Sequence, residues 1–259
     1  MCITAILQNS SPNVPLVVCH NRDEFHERKC SPLKKLNEGI YAGVDESSQG
    51  HWLSVTDRNT NTYAVIVLNY RNMGIKREDL KSRGELVKKL TGLKSADLAI
   101  SVYKDIYDKY NHHTILIINK DEVFTSSSFN NHSMSFSSGN HTFSNGLLGE
   151  KPWPKQTRLK KLISEGLSKT EPPSEEILSE TLFSILKDDK KANIGDLPNT
   201  FVGEKMEHFL SSIFIKSSSY GTRSSTIIQL RDNTLYIRDF NYDREGKILS
   251  KFFEKIKLN

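Results

Sequence analysis

No stretch of this sequence approaches the roughly 18–20 consecutive apolar residues that span a bilayer. The first residues also lack the basic segment and unbroken apolar run of a secretory signal, since Asn9 to Pro12 interrupt it. Cysteine is scarce. The three cysteines include no Cys-x-x-Cys pair, which argues against both a disulfide framework and a structural zinc site. Sequons begin at Asn9, Asn131 and Asn140, and without an export signal they are read as accidental. The expected setting is a reducing compartment, the cytosol or an organelle. Concentrated basic charge is missing too. The net +5 is the small surplus of 36 Lys and Arg over 31 Asp and Glu, and its runs (Lys34-Lys35, Lys88-Lys89, Arg158 to Lys161) are short. Nucleic acid is therefore not an expected partner. There is no internal repeat and no linker long enough to divide the chain. Its 259 residues, 36% hydrophobic, are read as one domain, 1–259.

What is present is a set of strands at both ends and in the middle, with helices grouped between. Cys2 to Leu7 and Pro15 to His20 are apolar and β-branched around a polar turn, which predicts an antiparallel hairpin from the start of the chain. Thr62 to Leu68 and Thr114 to Ile118 are unbroken apolar runs, the pattern of strands covered on both faces. Helical spacing marks Ser82 to Leu90, with Ser82 and Glu85 set for a capping box. It also marks Ser95 to Tyr110, Pro154 to Gly166, Ser174 to Leu186 and Gly203 to Phe214. Thr226 to Leu230 and Leu235 to Arg238 predict a second hairpin about Asp232-Asn233. Thr125 to His141, rich in Ser, Asn and His, reads as a long turn, and Asp188 to Pro198 as another loop. This order fits helices packed on antiparallel sheets, an α+β class, better than a βαβ repeat.

The chemistry centres on Cys2. Aminopeptidases remove Met1 before a small residue, which would leave a thiol beside a free α-amine of ordinary pKa about 8. Such an amine can act as base for its own side chain, as in N-terminal nucleophile hydrolases. The alternative is a buried strand cysteine, and Cys19 and Cys30 are read that way. Asn21-Arg22-Asp23-Glu24 ends an apolar strand, either as a solvated turn or as an inward polar cluster within reach of Cys2. There an Arg would favour thiolate and a carboxylate would hold the amine. Asn145, in Ser144-Asn145-Gly146, could donate to an oxyanion. Arg223, in Tyr220-Gly221-Thr222-Arg223, could fix an anion or the thiolate.

Met1-Cys2-Ile3 and Asn21-Arg22-Asp23-Glu24 resemble the start of the NRDE family, to which transport and Golgi organisation proteins belong. The resemblance runs on, in order, through Gly43 to Ser54, Asn69, Arg83-Gly84-Glu85-Leu86-Val87, Ser144-Asn145, Pro152-Trp153 and Tyr220 to Thr226. It implies a four-layer αββα sandwich of N-terminal nucleophile hydrolase type, with Cys2 in the nucleophile position. Arg22, Asp23, Asn145 and Arg223 match the polar positions of the penicillin V acylase and bile salt hydrolase branch, although Arg22 and Asp23 are spaced differently there. Asn21, Glu24, Trp52, Asn69 and Tyr220, from the same blocks, are the candidate ligand contacts. One block departs from the family pattern. Its Gly-Gly-Thr-Trp-Leu-Gly is Gln49-Gly50-His51-Trp52-Leu53-Ser54 here, which removes two glycines where a ligand could approach the backbone closely.

The resemblance also implies handling of haem or acyl-CoA, a cytoplasmic place with a mitochondrial or other organelle association, and peripheral contact with a membrane. Haem is expected only as cargo. None of the eight histidines sits in a motif marking it as a ligand, and Cys30-Ser31-Pro32 only approximates a Cys-Pro haem motif. No metal site is expected. Three functions follow: binding and trafficking of haem or another amphipathic acidic ligand such as acyl-CoA; a Cys2-dependent amidohydrolase or thioesterase; or a scaffold whose ancestral site no longer acts.

Overall fold

The computed structural model describes residues 1–11, 13–37, 39–58, 61–71, 79–167 and 173–258. It is mixed α+β, with two antiparallel sheets and five α-helices among the described residues. The first sheet is built from β1 (Cys2–Ser11), β2 (Val14–Phe25), β10 (Gly139–Phe143), β11 (Tyr220–Arg231), β12 (Thr234–Tyr242) and β13 (Ile248–Lys257), in the order β10-β1-β2-β11-β12-β13. The second runs β3-β4-β5-β6-β7-β8-β9 in chain order. Its strands are β3 (Cys30–Asn37), β4 (Ile40–Asp45), β5 (Gly50–Arg58), β6 (Asn61–Asn69), β7 (His113–Ile118), β8 (Val123–Ser127) and β9 (His132–Phe136). No helix of the described residues is long and apolar enough to cross a membrane.

Strand parity decides the layers. Along β1, Ile3, Ala5 and Leu7 pack on α3 (Pro154–Gly166) and α4 (Glu175–Leu186) through Leu159, Ile163, Leu178 and Leu182. Cys2 and Ile6, on the opposite face, join a cluster shared with the second sheet through Leu53, Ile66 and Leu116. Along β6 the same split sends Tyr63, Val65 and Val67 to α1 (Arg83–Thr91) and α2 (Ala96–Ile106), and Ala64, Ile66 and Leu68 inward. The unbroken apolar runs thus have helices on one side and the other sheet on the other, as strands covered on both faces require.

The predicted hairpins form. Asp232 and Asn233 both take positive φ, 47° and 54°, as a two-residue turn between twisted strands demands. Ser82 caps α1, but the predicted capping box does not close: Ser82 Oγ accepts from the Gly84 N–H at 3.3 Å rather than from Glu85, and the Glu85 carboxylate turns to Lys81 at 3.2 Å. Two expectations are corrected. Thr125 to His141 is strand rather than loop, covering most of β8, β9 and the start of β10. Its polar composition reflects exposure, since four of the five residues of β9, an edge strand, are solvent-exposed. The helix expected over Gly203 to Phe214 is only α5 (Glu204–Phe209). Past it the chain turns so that the Phe214 N–H reaches the Asp188 carbonyl at 2.8 Å.

Candidate functional site

Alternation along β2 divides the polar tetrapeptide. Arg22 lies opposite Cys2 in the β1–β2 register and shares its inward face, and Asp23 pairs with Thr222 on the helix-facing side. These residues are inside the strand, and Asn21, Arg22 and Asp23 are buried. The inward cluster is therefore the right reading and the solvated turn is not.

On the inward face, Cys2, Arg22, Glu24, Asp45, His51, Trp52, Asn69 and Arg83 border a cavity of about 90 Å³. The Arg22 guanidinium lies 4.2 Å over the Trp52 ring and 3.3 Å from Asp45 Oδ2, with Glu24 at 3.9 Å. Arg28 closes the rim on Asp45 at 2.5 Å. Close backbone approach builds this pocket. A Cβ on Gly43 would fall 2.0 Å from the Trp52 ring, and one on Gly50 2.6 Å from the carbonyl carbon of Gly84. These glycines seat Trp52 and let the first turn of α1, with Arg83, reach the cavity. The departures from the family block answer each other, since His51 Nδ1 and Ser54 Oγ lie 2.8 Å apart. Burial pushes His51 down to about 4.

Residues around the chain start hold Cys2 from the backbone. The Cys2 N–H donates to Asn145 Oδ1 at 3.1 Å, and Ser144 Oγ donates to the Cys2 carbonyl at 3.0 Å. Asn145 Nδ2 in turn donates to the Asn69 carbonyl at 2.8 Å. Asn145 thus presents its side-chain oxygen to the Cys2 nitrogen, and its amide faces Asn69. Met1 is clasped by Asp23, whose N–H donates to the Met1 carbonyl at 2.5 Å and whose carbonyl accepts from the Met1 ammonium. That ammonium also donates to the Tyr220 hydroxyl at 2.5 Å. Burial raises the Cys2 thiol pKa, against the pull of the terminal ammonium and of Arg22.

Behind this clasp, Asp23 accepts from Thr222 Oγ1 at 2.7 Å, and its other carboxylate oxygen lies 3.8 Å from the Lys155 ammonium. Lys155 is 2% exposed. Burial pushes Asp23 up and Lys155 down, and each opposes the shift of the other. Lys155, Arg83 and Asp45 were not singled out by sequence reasoning. Arg83 lies inside a family block and Lys155 directly follows Trp153-Pro154, so motif position was the available signal.

Two predicted site residues are engaged elsewhere. Asn21 donates to the carbonyls of Leu186 and Ile213, both at 2.9 Å, so it caps the end of α4. Arg223 Nη1 donates to the carbonyls of Phe25, His26 and Arg28 at 3.0–3.3 Å, bracing the turn after β2, and does not border the cavity.

A second and much larger cavity, about 770 Å³, adjoins the site as a groove. One wall carries Tyr70, Arg71, Trp153 and Arg158; the other is the 190–200 loop, with Lys190, Lys191, Leu197 and Pro198. Arg71, on the groove wall, touches Met1, which borders the Cys2 cavity. Its N–H donates to the Asn145 carbonyl at 2.8 Å, and its Nη1 reaches the Met1 sulfur at 3.2 Å.

The sequence profile of the Transport and Golgi organisation 2 family matches residues 1–238. The chain belongs to that family. No curated protein matches it. The matched Transport and Golgi organisation 2 region holds every residue placed above around Cys2 and along the groove, and ends before β13. Through its family the chain is associated with transport and Golgi organisation.

Proposed function

We propose that this chain binds and carries an amphipathic anionic ligand, with the ligand body in the groove and its head group towards Cys2. The supporting observation is the groove itself. About 770 Å³ falls within the roughly 300–1,000 Å³ of small-molecule sites, whereas about 90 Å³ beside Cys2 has room only for a few waters or a small group. Trp153, Leu197 and the prolines offer apolar walls. Lys151, Lys190 and Lys191, which carry no ion pair among the described residues, give positive charge. An acyl-CoA suits this lining better than haem. No described residue of the groove wall is His, Cys or Met, and Tyr70, the phenol present, is stacked on Phe129 at 4.3 Å. The order helix, sheet, sheet, helix favours a four-layer αββα sandwich of N-terminal nucleophile hydrolase type, and a carrier of this kind fits a peripheral place on organelle or mitochondrial membranes. Calorimetric titration of purified protein with palmitoyl-CoA and with haem tests the reading. Saturable palmitoyl-CoA binding is expected, and absence of binding to either would overturn it.

A second reading, a Cys2-dependent amidohydrolase or thioesterase, is favoured by the 3.1 Å contact between Cys2 N and Asn145 Oδ1. With Met1 removed, that oxygen would orient the α-amine for proton transfer from the thiol. Cys2→Ala separates the two readings. Ligand binding should survive it within about twofold, whereas turnover of acyl-CoA thioesters or N-acyl amides, followed by mass spectrometry, should disappear.

A further inference from the structure

Arg71 is anchored on three sides. Its Nη2 donates to Glu207 Oε2 at 2.5 Å, and the other Glu207 oxygen is fixed by the Thr200 N–H at 2.7 Å and Thr200 Oγ1 at 2.6 Å. Its guanidinium lies 4.3 Å over the Trp153 ring, and its backbone is tied to Asn145. The side chain is only 9% exposed. Its donors are nevertheless incompletely matched among the described residues: there Nε is buried without a partner, and Nη1 meets only the Met1 thioether, a weak acceptor. A buried guanidinium with vacant donors is costly unless an acceptor arrives. The other cations of the groove differ. Arg158 is closed by Asp188 at 2.7 and 2.5 Å, and Lys161 pairs with Glu165 at 3.7 Å. Lys190 and Lys191 stand exposed at the rim, where charge attracts anions without fixing their geometry.

We propose that Arg71 is the anion-recognition residue of the groove, taking a carboxylate or phosphate of the bound amphiphile where the groove meets the Cys2 cavity. Glu207 and Trp153 are its positioning residues. The inference rests on the reading of the groove as a site for an amphipathic anion, and it adds which residue reads the anionic group. A planar guanidinium suits either oxyanion, because it can offer two parallel N–H donors.

Calorimetry on the full chain would compare palmitoyl-CoA, palmitate and the neutral monopalmitoylglycerol. Arg71→Met leaves Glu207 buried and unpaired, so Arg71→Met/Glu207→Gln is measured beside it, with circular dichroism to establish folding. The double variant should lose about tenfold or more in affinity for an anionic probe and little for monopalmitoylglycerol. Arg71→Lys, which keeps charge but not the fork, should fall between. Whichever of palmitate and palmitoyl-CoA suffers more identifies carboxylate or phosphate. Unchanged affinity in the folded double variant, or an equal loss for the neutral probe, overturns the proposal while leaving the groove reading standing. If wild type binds no amphiphile, inorganic pyrophosphate decides. Pyrophosphate binding lost in the double variant keeps Arg71 as an anion site and removes the amphiphile; no pyrophosphate binding removes both.

Discussion

The Cys2 cavity and the groove are neighbours built on opposite terms. Around Cys2 most charges face an opposite charge or a hydrogen-bond partner: Arg22 and Asp45, Asp23 and Thr222, Asn145 with Cys2 and Asn69, Met1 with Asp23 and Tyr220, and Lys155 with Asp23 as an ion pair at 3.8 Å, although Lys155 Nζ and Trp52 Nε1 make no hydrogen bond among the described residues. In the groove, Lys151, Lys190 and Lys191 stand without ion pairs, and Arg71 Nε has no hydrogen-bond partner, among the described residues. A region whose charges are mutually matched and buried governs folding. One whose charges are held open is free to take a ligand. The two regions should therefore respond differently to substitution, to pH and to salt.

The widest separation is expected at Lys155. Removing one partner of a buried ion pair leaves the other uncompensated, at about 3–5 kcal/mol, and Lys155 and Asp23 are both fully buried. Lys155→Met should lower the free energy of unfolding in urea by about that amount. Asp23→Asn/Lys155→Met should recover much of the loss, because no lone charge remains. A Lys155→Met variant within about 1 kcal/mol of wild type would mean that the Cys2 region does not depend on this pair.

Acid should act on the Cys2 side as well. Burial pushes His20 down to about 3 and His113 and His51 to about 4, and no histidine is among the described residues of the groove wall. A histidine whose folded pKa is depressed contributes stability that is complete above its unfolded value near 6.5 and is lost as pH falls towards the folded value. Asp239 works in the opposite sense. Burial raises it to about 6, so its contribution is complete below about 4 and is lost as pH rises through 6. The histidine contribution to unfolding free energy should fall from pH 7 to pH 4.5, against the opposite contributions of Asp239 and Asp23, whose carboxyls burial raises. His113→Gln should flatten that slope by about 3 kcal/mol, at about 1.4 kcal/mol per pKa unit. A slope that His113→Gln leaves unchanged would contradict a neutral buried histidine there.

What the sequence made readable divides along the same line. Cys2, Arg22 and Asp23 could be brought together because a hairpin from the chain start fixes their register, and period-2 alternation puts Cys2 and Arg22 on one face. Trp52 and Asn69 were found through motif order, and they do border the cavity. The groove left no such trace. Its walls come from the 190–200 loop, the approach to α3 and the end of β6, which no local period links, and its bases lie in polar segments that look like ordinary solvated surface. Arg223 shows the converse. A family position suggested a partner for the thiol, but its guanidinium braces the carbonyls of the turn after β2, a role visible only once backbone geometry is known. The strand β9 escaped because four of its five residues are exposed at a sheet edge; β13 escaped although its burial alternates, with Phe252 and Ile256 packed on the core, because charged and polar residues fill most of its other positions.

The smallest effect on folding should come from the groove lysines. Lys190 and Lys191 are exposed and carry no ion pair among the described residues, so Lys190→Glu/Lys191→Glu should change the urea midpoint by no more than about 0.5 kcal/mol of stability. The same variant reverses the charge of one groove wall, and palmitoyl-CoA should bind about tenfold more weakly at low salt, equivalent to about 1.4 kcal/mol. Rim charges act through solvent and are screened within about 10 Å at 0.1 M salt. The difference between variant and wild type should therefore shrink as sodium chloride rises, whereas the loss caused by altering Arg71, which is buried, should persist. If both losses vanish together in salt, Arg71 acts as one more surface charge; if neither does, the rim lysines touch the ligand directly.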